Sequence, residues 1–134
     1  MLQVGIAGAR GFAEPELVLG SASLYCDTQS PLVPTTAAPD GALLAAARSA
    51  FPEARITLIG TSARVGGTTG CEVEAMEGFA VLRAAKLTGV PGLEVRAISN
   101  EIEEADRGRW YFDEALAALA AALPTLVAAI AAAG

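Results

Sequence analysis

The chain contains no histidine and only two cysteines, Cys26 and Cys71. A histidine-based catalytic triad is thereby excluded, and with it a zinc site of the usual histidine and cysteine type. The two cysteines lie far apart in sequence without metal-ligand spacing, so they read as free thiols, the state expected of a cytoplasmic protein. Basic residues are scarce: 9 Lys+Arg stand against 15 Asp+Glu, for a net charge of −6. No basic run exists to release counterions from a phosphate backbone, so nucleic acid is not an expected partner. No basic segment followed by an apolar stretch and a cleavage site is seen, and no secretory signal is expected.

What remains is apolar. Hydrophobic residues make up 53% of 134 residues and the mean hydropathy is +0.46. That composition suits a single globular domain over residues 1–134 with a sizeable core. From Ala115 to Ala133 no residue is charged, a length sufficient to cross a bilayer. Alanine dominates it, Pro124 interrupts it, and Leu116, Leu119, Leu123, Leu126 and Ile130 form one stripe at helical spacing. A packed amphipathic helix is the expected state, and no membrane is an expected partner.

Along the chain, Leu2–Ala7 and Leu17–Tyr25 read as strands, and the proline-rich Cys26–Asp40 as a loop. Asp40 caps a helix running to about Ala50, and Ile56–Ile59 is a strand. Thr61–Gly70 is a Gly/Ser/Thr loop, and Glu72–Thr88 reads as a helix stopped by Gly89 and Pro91. Leu93–Ile98 is a strand, Ser99–Arg109 a charged loop, and Asp113 caps the final helix. Strands alternating with helices predict an α/β fold with a mostly parallel sheet.

"GIAGARG" at Gly5–Gly11 imitates a dinucleotide-binding turn, but its glycines are misplaced. Only nine residues separate Ala7 from Leu17, too few for the crossover helix that fingerprint needs. The acids Glu72, Glu74 and Glu77 are harder to dismiss. A helix dipole alone accounts for acids in a first turn. Glu77, however, lies among the apolar Val73, Met76, Ala80 and Val81, where a carboxylate can sit at a pocket rim. Arg96 stands in an otherwise apolar strand, so it needs a partner, with Glu77 or Glu74 the candidates by type. Such a pair is purely structural or part of a site. Gly8, Ser62 and Asn100 each follow a strand end and are expected to gather on one sheet edge, where ligands bind in open α/β sheets.

"VEAMEGFA" followed by "VRAISN" resembles the nucleoside phosphorylase/nucleosidase superfamily, as do "VGIAGA" and "LVLGSASLY" nearer the start. Within it the likeness is to the futalosine hydrolases of an alternative menaquinone pathway and, more distantly, to methylthioadenosine/S-adenosylhomocysteine nucleosidases. The resemblance implies a three-layer α/β fold with a central mixed sheet. It also implies hydrolysis of the N-glycosidic bond of a 6-oxopurine nucleoside, futalosine to hypoxanthine plus dehypoxanthine futalosine. No cofactor or metal is implied; the partners are a small purine nucleoside and further copies in a homo-oligomer.

The resemblance gives Glu77 the ribose 2′- and 3′-hydroxyls, Met76 the sugar face, and Arg96 the task of holding Glu77 and the attacking water. Ala7 and Gly8 lie beside ribose and base, and Ala75 and Ser99 join the substrate-binding set. At Asn100 the adenosine-type relatives carry an aspartate that protonates N7. An amide offers one group that donates and one that accepts but no acid, which favours a 6-oxopurine leaving group. Family members also begin with further strands that carry an acid serving as base for water. The resemblance thus implies a domain short of its opening strands and weak catalysis by this chain alone. Open alternatives are a non-catalytic purine-binding fragment, a methylthioadenosine-type nucleosidase and a phosphorylase.

Overall fold

The computed structural model describes residues 1–67 and 69–134. Its strands are β1 (Leu2–Ala9), β2 (Leu17–Tyr25), β3 (Thr36–Ala37), β4 (Arg55–Thr61), β5 (Val73–Ala75) and β6 (Leu93–Glu101). Its helices are α1 (Gly41–Ala50), α2 (Gly78–Leu87) and α3 (Phe112–Ala133), with a 3-10 turn at Arg107–Arg109. β1 passes to β2 without a helix, which removes any dinucleotide-type crossover.

The strands run in the order β3-β2-β4-β5-β1-β6, and the start of β2 pairs again with β6. Five strands therefore close into a ring, with β3 attached outside. The sheet is mixed rather than mostly parallel: β1–β6, β2–β4 and β4–β5 are parallel, whereas β1–β5, β2–β6 and β2–β3 are antiparallel. Every ring strand contributes to a common apolar cluster: Ala7 and Ala9 from β1, Val18, Ile59, Val73 and Ile98 from the others, closed by Phe12. A second cluster (Leu19, Leu43, Ala47, Leu93, Val95 and Leu126) joins the outer face of the ring to α1 and α3. α2 lies against β2, β3 and β4.

Several elements depart from the sequence reading. The acidic stretch does not open a helix. Val73–Ala75 is a strand, and α2 begins only at Gly78. Ser99 and Asn100 are not loop residues, because β6 runs on to Glu101 and buries both. The loop after β2 contains the short β3. Within the stretch expected as a loop over 61–70, Thr61 ends β4, and Thr68 lies outside the described residues.

Asp40 caps α1 as expected, its Oδ1 accepting from Ala42 N and Leu43 N at 3.0 Å each. Asp113 does not cap α3; Tyr111 holds that position without a side-chain bond, and Asp113 and Glu114 lie in the first turn, where the dipole favours them. α3 continues through Pro124, whose missing N–H falls on the exposed side. The buried stripe of α3 is Ala115, Leu119, Ala122 and Leu126, with Leu116 turned to solvent. Small residues on that stripe let α3 lie close to α1, β6 and β1. By length and apolarity α3 also suffices to cross a membrane.

The β1–β2 loop is pinned to β4 by one carboxylate. Arg55 donates from Nε and Nη2 to Glu16 at 2.7 and 2.8 Å, Ala13 N adds a bond of 3.0 Å, and the guanidinium lies 3.5 Å over the Phe12 ring. The Arg55 hydrogen bonds, followed by that from Ala13 N, hold the Glu16 carboxyl below its ordinary value. Because the folded value is lowered, this stabilisation is complete above the ordinary glutamate range and disappears as pH falls through the lowered value. Exposure of Arg55 limits it to about 1 kcal/mol. Glu16→Gln is expected to lose that amount at pH 7 in urea titrations and nothing at pH 2; equal losses at both would contradict it.

Cys26 and Cys71, remote in sequence, sit close enough for their thiols to interact. Burial first, and then the Cys71 neighbour, push the Cys26 thiol up to about 11. At pH 8 such a thiol offers roughly a hundredfold less thiolate than an ordinary cysteine. After an iodoacetamide pulse that fully labels a free model thiol, mass spectrometry is expected to find Cys26 largely unmodified. Labelling at the model rate would refute this.

Candidate functional site

The site grows from the pairing of β1 with β6. A register shift after Ala7 brings Gly8 level with Asn100, while β5 sets Glu74 on the other side of Gly8. Such a shift re-aims the side chains beyond it. Gly8 has no side chain to spare: a Cβ there would come to 3.1 Å from Asn100 Nδ2 and 3.3 Å from Ile102. The missing methyl keeps the floor open.

Asn100 has a defined orientation. Its Nδ2 donates to Glu101 O at 3.0 Å, and its Oδ1 accepts from Ser99 Oγ at 2.7 Å. A carbonyl can only accept, so the amide cannot be turned the other way. One N–H and one acceptor site of this amide remain for a ligand.

Glu77 occupies the N-cap position of α2 but makes no cap bond. Its Oε1 instead meets Arg96 Nη1 at 3.0 Å, and no described residue engages Oε2. The Glu77 side chain is 53% exposed, whereas that of Arg96 is 2% exposed. Arg96 is held from behind as well: Nε donates to Glu94 Oε1 at 2.9 Å, and Nη1 to Ile6 O at 3.3 Å. Glu94 is fully buried and accepts from Ser23 Oγ. Of the two partners expected for Arg96, Glu77 is one and Glu74 is not. Glu74 accepts from Gly66 N (3.2 Å), Gly67 N (2.8 Å) and Thr69 Oγ1 (3.0 Å), lacing the glycine loop to β5.

One cleft of about 290 Å³ unites these groups. Ala7, Gly8, Ala75, Met76, Glu77, Ser99 and Asn100 all line it, and Arg96 supports it from beneath. Ser62 does not join them. Its Oγ donates to Asp27 Oδ1 at 2.6 Å, a bond that, with that from Ala63 N, holds the Asp27 carboxyl below its usual value. Ser62 lies beside the end of β5, its N–H donating to Ala75 O at 3.0 Å, but its hydroxyl turns to Asp27 and not to the cleft.

Three further residues contribute to the site: Trp110, Phe112 and Glu94. Trp110 and Phe112 line the cleft, with the indole Nε1 donating to Glu104 O at 3.0 Å. The one tryptophan of the chain, in the run Trp110–Phe112 after the polar strand exit, was the available signal. Glu94 was legible too: it stands two residues before Arg96, on the same face of a strand.

Among known proteins, no family model matches the chain. Futalosine hydrolase of Streptomyces coelicolor is 47% identical over 74 residues, 52% of this chain and 32% of that protein. Futalosine hydrolase of Thermus thermophilus is 46% identical over 59 residues, 44% of this chain and 26% of that protein. The matches thus span about a third and a quarter of these relatives. In structure, futalosine hydrolase of Helicobacter pylori superposes with a TM-score of 0.84 at 18% identity, over 94% of this chain and 66% of that one. The methylthioadenosine/S-adenosylhomocysteine nucleosidase of Colwellia psychrerythraea, in complex with adenine, gives 0.78 at 21% identity, over 98% and 66%. The chain has the α/β fold of these nucleosidases, and across half its length it is similar in sequence to futalosine hydrolase.

Proposed function

We propose that the cleft cleaves the N-glycosidic bond of a 6-oxopurine nucleoside, with futalosine as substrate and hypoxanthine and dehypoxanthine futalosine as products. The observation that carries this reading is the sharing of one cleft by Glu77 and Asn100, each with hydrogen-bonding capacity unspent. The names of the two sequence relatives support the substrate.

Bond cleavage of this kind passes through a sugar with oxocarbenium character, by analogy with glycoside hydrolysis. A carboxylate answers both demands of that sugar: it accepts from vicinal hydroxyls, and it stabilises the positive charge that develops. Arg96, bonded to Oε1, fixes its direction. As the C–N bond breaks, electrons flow into the purine. The remaining N–H of Asn100 suits the 6-oxo group, and its remaining acceptor suits an N7 that takes its proton from solvent. Water adds at C1′ as the base leaves, giving its hydroxyl to the sugar and its proton back to solvent. Trp110, Phe112 and Met76 supply apolar surface for flat and sugar faces.

The test is hypoxanthine release from futalosine, followed by chromatography, using the product of the gene with any upstream in-frame codons. Asn100→Ala is expected to slow release about tenfold or more, the loss of one positioned donor and one acceptor. No release by the unaltered protein removes the reading. One observation favours a second reading, a purine-nucleoside-binding domain without turnover. Of the two acids lining the cleft, Glu74 is engaged by the glycine loop, and the second oxygen of Glu77 is assigned to the ribose hydroxyls, which leaves neither to act as a base for water. Calorimetric binding of inosine without hydrolysis would select it.

A further inference from the structure

Arg96 presents a difficulty for the proposed chemistry. A carboxylate tied to a guanidinium at 3.0 Å has its field largely cancelled, which is a poor way to face a developing cation. The structure offers a remedy in Glu94. Its side chain is 0% exposed, it binds the opposite side of the same guanidinium at 2.9 Å, and its second oxygen accepts from Ser23 Oγ. The first residue of α2 makes room for it, since a Cβ at Gly78 would run into the Glu94 carboxylate. A buried carboxylate within two residues of Arg96 on one strand face is not needed to fill space; an apolar residue would do that at lower cost.

We propose that Glu94 is a positioning residue that neutralises Arg96, so that Glu77 meets the cleft as an uncompensated anion. The inference rests on the nucleosidase reading above. Glu94, Arg96 and Glu77 together carry one net negative charge; without Glu94 the remaining pair is neutral. Arg96 then keeps its mechanical task of aiming Glu77 while its charge is absorbed from behind. The other charged groups lining the cleft do not do this work. Glu74 is bound to the glycine loop, and Arg64 and Arg107 are exposed, where solvent and salt screen them.

The charge accounting predicts an effect on cationic ligands that loosened geometry alone does not produce. Calorimetry compares two ligands on the full protein: inosine, which is neutral, and an iminoribitol nucleoside analogue whose ring nitrogen is protonated. Glu94→Gln keeps the shape and a bond to Arg96 Nε but removes the charge. It is expected to weaken the cationic analogue roughly tenfold or more while changing inosine affinity less than about twofold. With futalosine, kcat falls and KM holds, because the ground state is neutral at the ring and the transition state is not. Equal losses for both ligands, or no loss in the folded variant, overturn the inference. Should Glu94→Gln fail to fold, Glu94→Asp carries the test. It retains the charge and is expected to retain the preference for the cation; losing it would be decisive against the proposal. Wild-type protein that binds neither ligand overturns the nucleoside reading itself, and this inference with it.

Discussion

Glu94→Ala is expected to destabilise the protein by about 3–5 kcal/mol, the loss seen when one member of a buried ion pair is removed and the other stays. Arg96 would remain 2% exposed, with half-exposed Glu77 as its remaining carboxylate partner. Its Nη2 already lacks a hydrogen-bond partner among the described residues, so the site has no slack to absorb a second loss. Ser23, also buried, would forfeit its acceptor. Against a domain stability of roughly 5–15 kcal/mol this is a large fraction. The urea midpoint should fall with the slope unchanged. Replacing both partners, Glu94→Leu with Arg96→Met, should be much milder, because no unpaired charge is left behind. A single-variant loss below about 1 kcal/mol would mean that water reaches Arg96 and the pair is not truly buried.

The second large effect is on chemistry rather than stability. Glu77→Gln is expected to lower kcat for hypoxanthine release by about 10²–10³-fold, the usual consequence of deleting one preorganised electrostatic contact. Stability should scarcely change. The side chain is 53% exposed, caps nothing, and glutamine fills the same volume. The amide can still accept from one ribose hydroxyl, so KM should rise far less than kcat falls. A variant that keeps wild-type kcat would show that the carboxylate has no part in the bond-breaking step.

How much of this was visible in the residues depends on length and context. β2 was legible to the residue, Leu17–Tyr25, because nine consecutive apolar or small residues leave no other choice. α1 was legible because Asp40 before an apolar period is a strong start signal. β5 was not. Three residues, Val73–Ala75, are too few for an alternating pattern to emerge, and the helix behind them seemed to extend forward through Glu74. Ser99 and Asn100 looked like a polar exit, yet pairing with β1 carries the strand past them. That pairing is a tertiary fact, and it decides that both are buried.

The same split holds for the site. Glu77, Met76 and Asn100 were found through motif likeness, and Arg96 through the oddity of a charge in an apolar strand. Ser62 stands beside Ala75 at the end of β5, and the bond to Asp27 that turns its hydroxyl from the cleft has no local signal in the sequence. Trp110 and Phe112 belong to a segment brought back over the cleft by the bond from Tyr111 N to Ser99 O, which no local pattern announces.

The lacing of Glu74 has a last consequence. Gly66 and Gly67 aim two backbone N–H groups at one point, the arrangement by which glycine-rich nests seize inorganic oxyanions. Here that seat is taken by a tethered occupant with a third donor from Thr69. A free oxyanion would have to evict that carboxylate, so the nest holds the loop against β5 instead of standing open to an inorganic ligand.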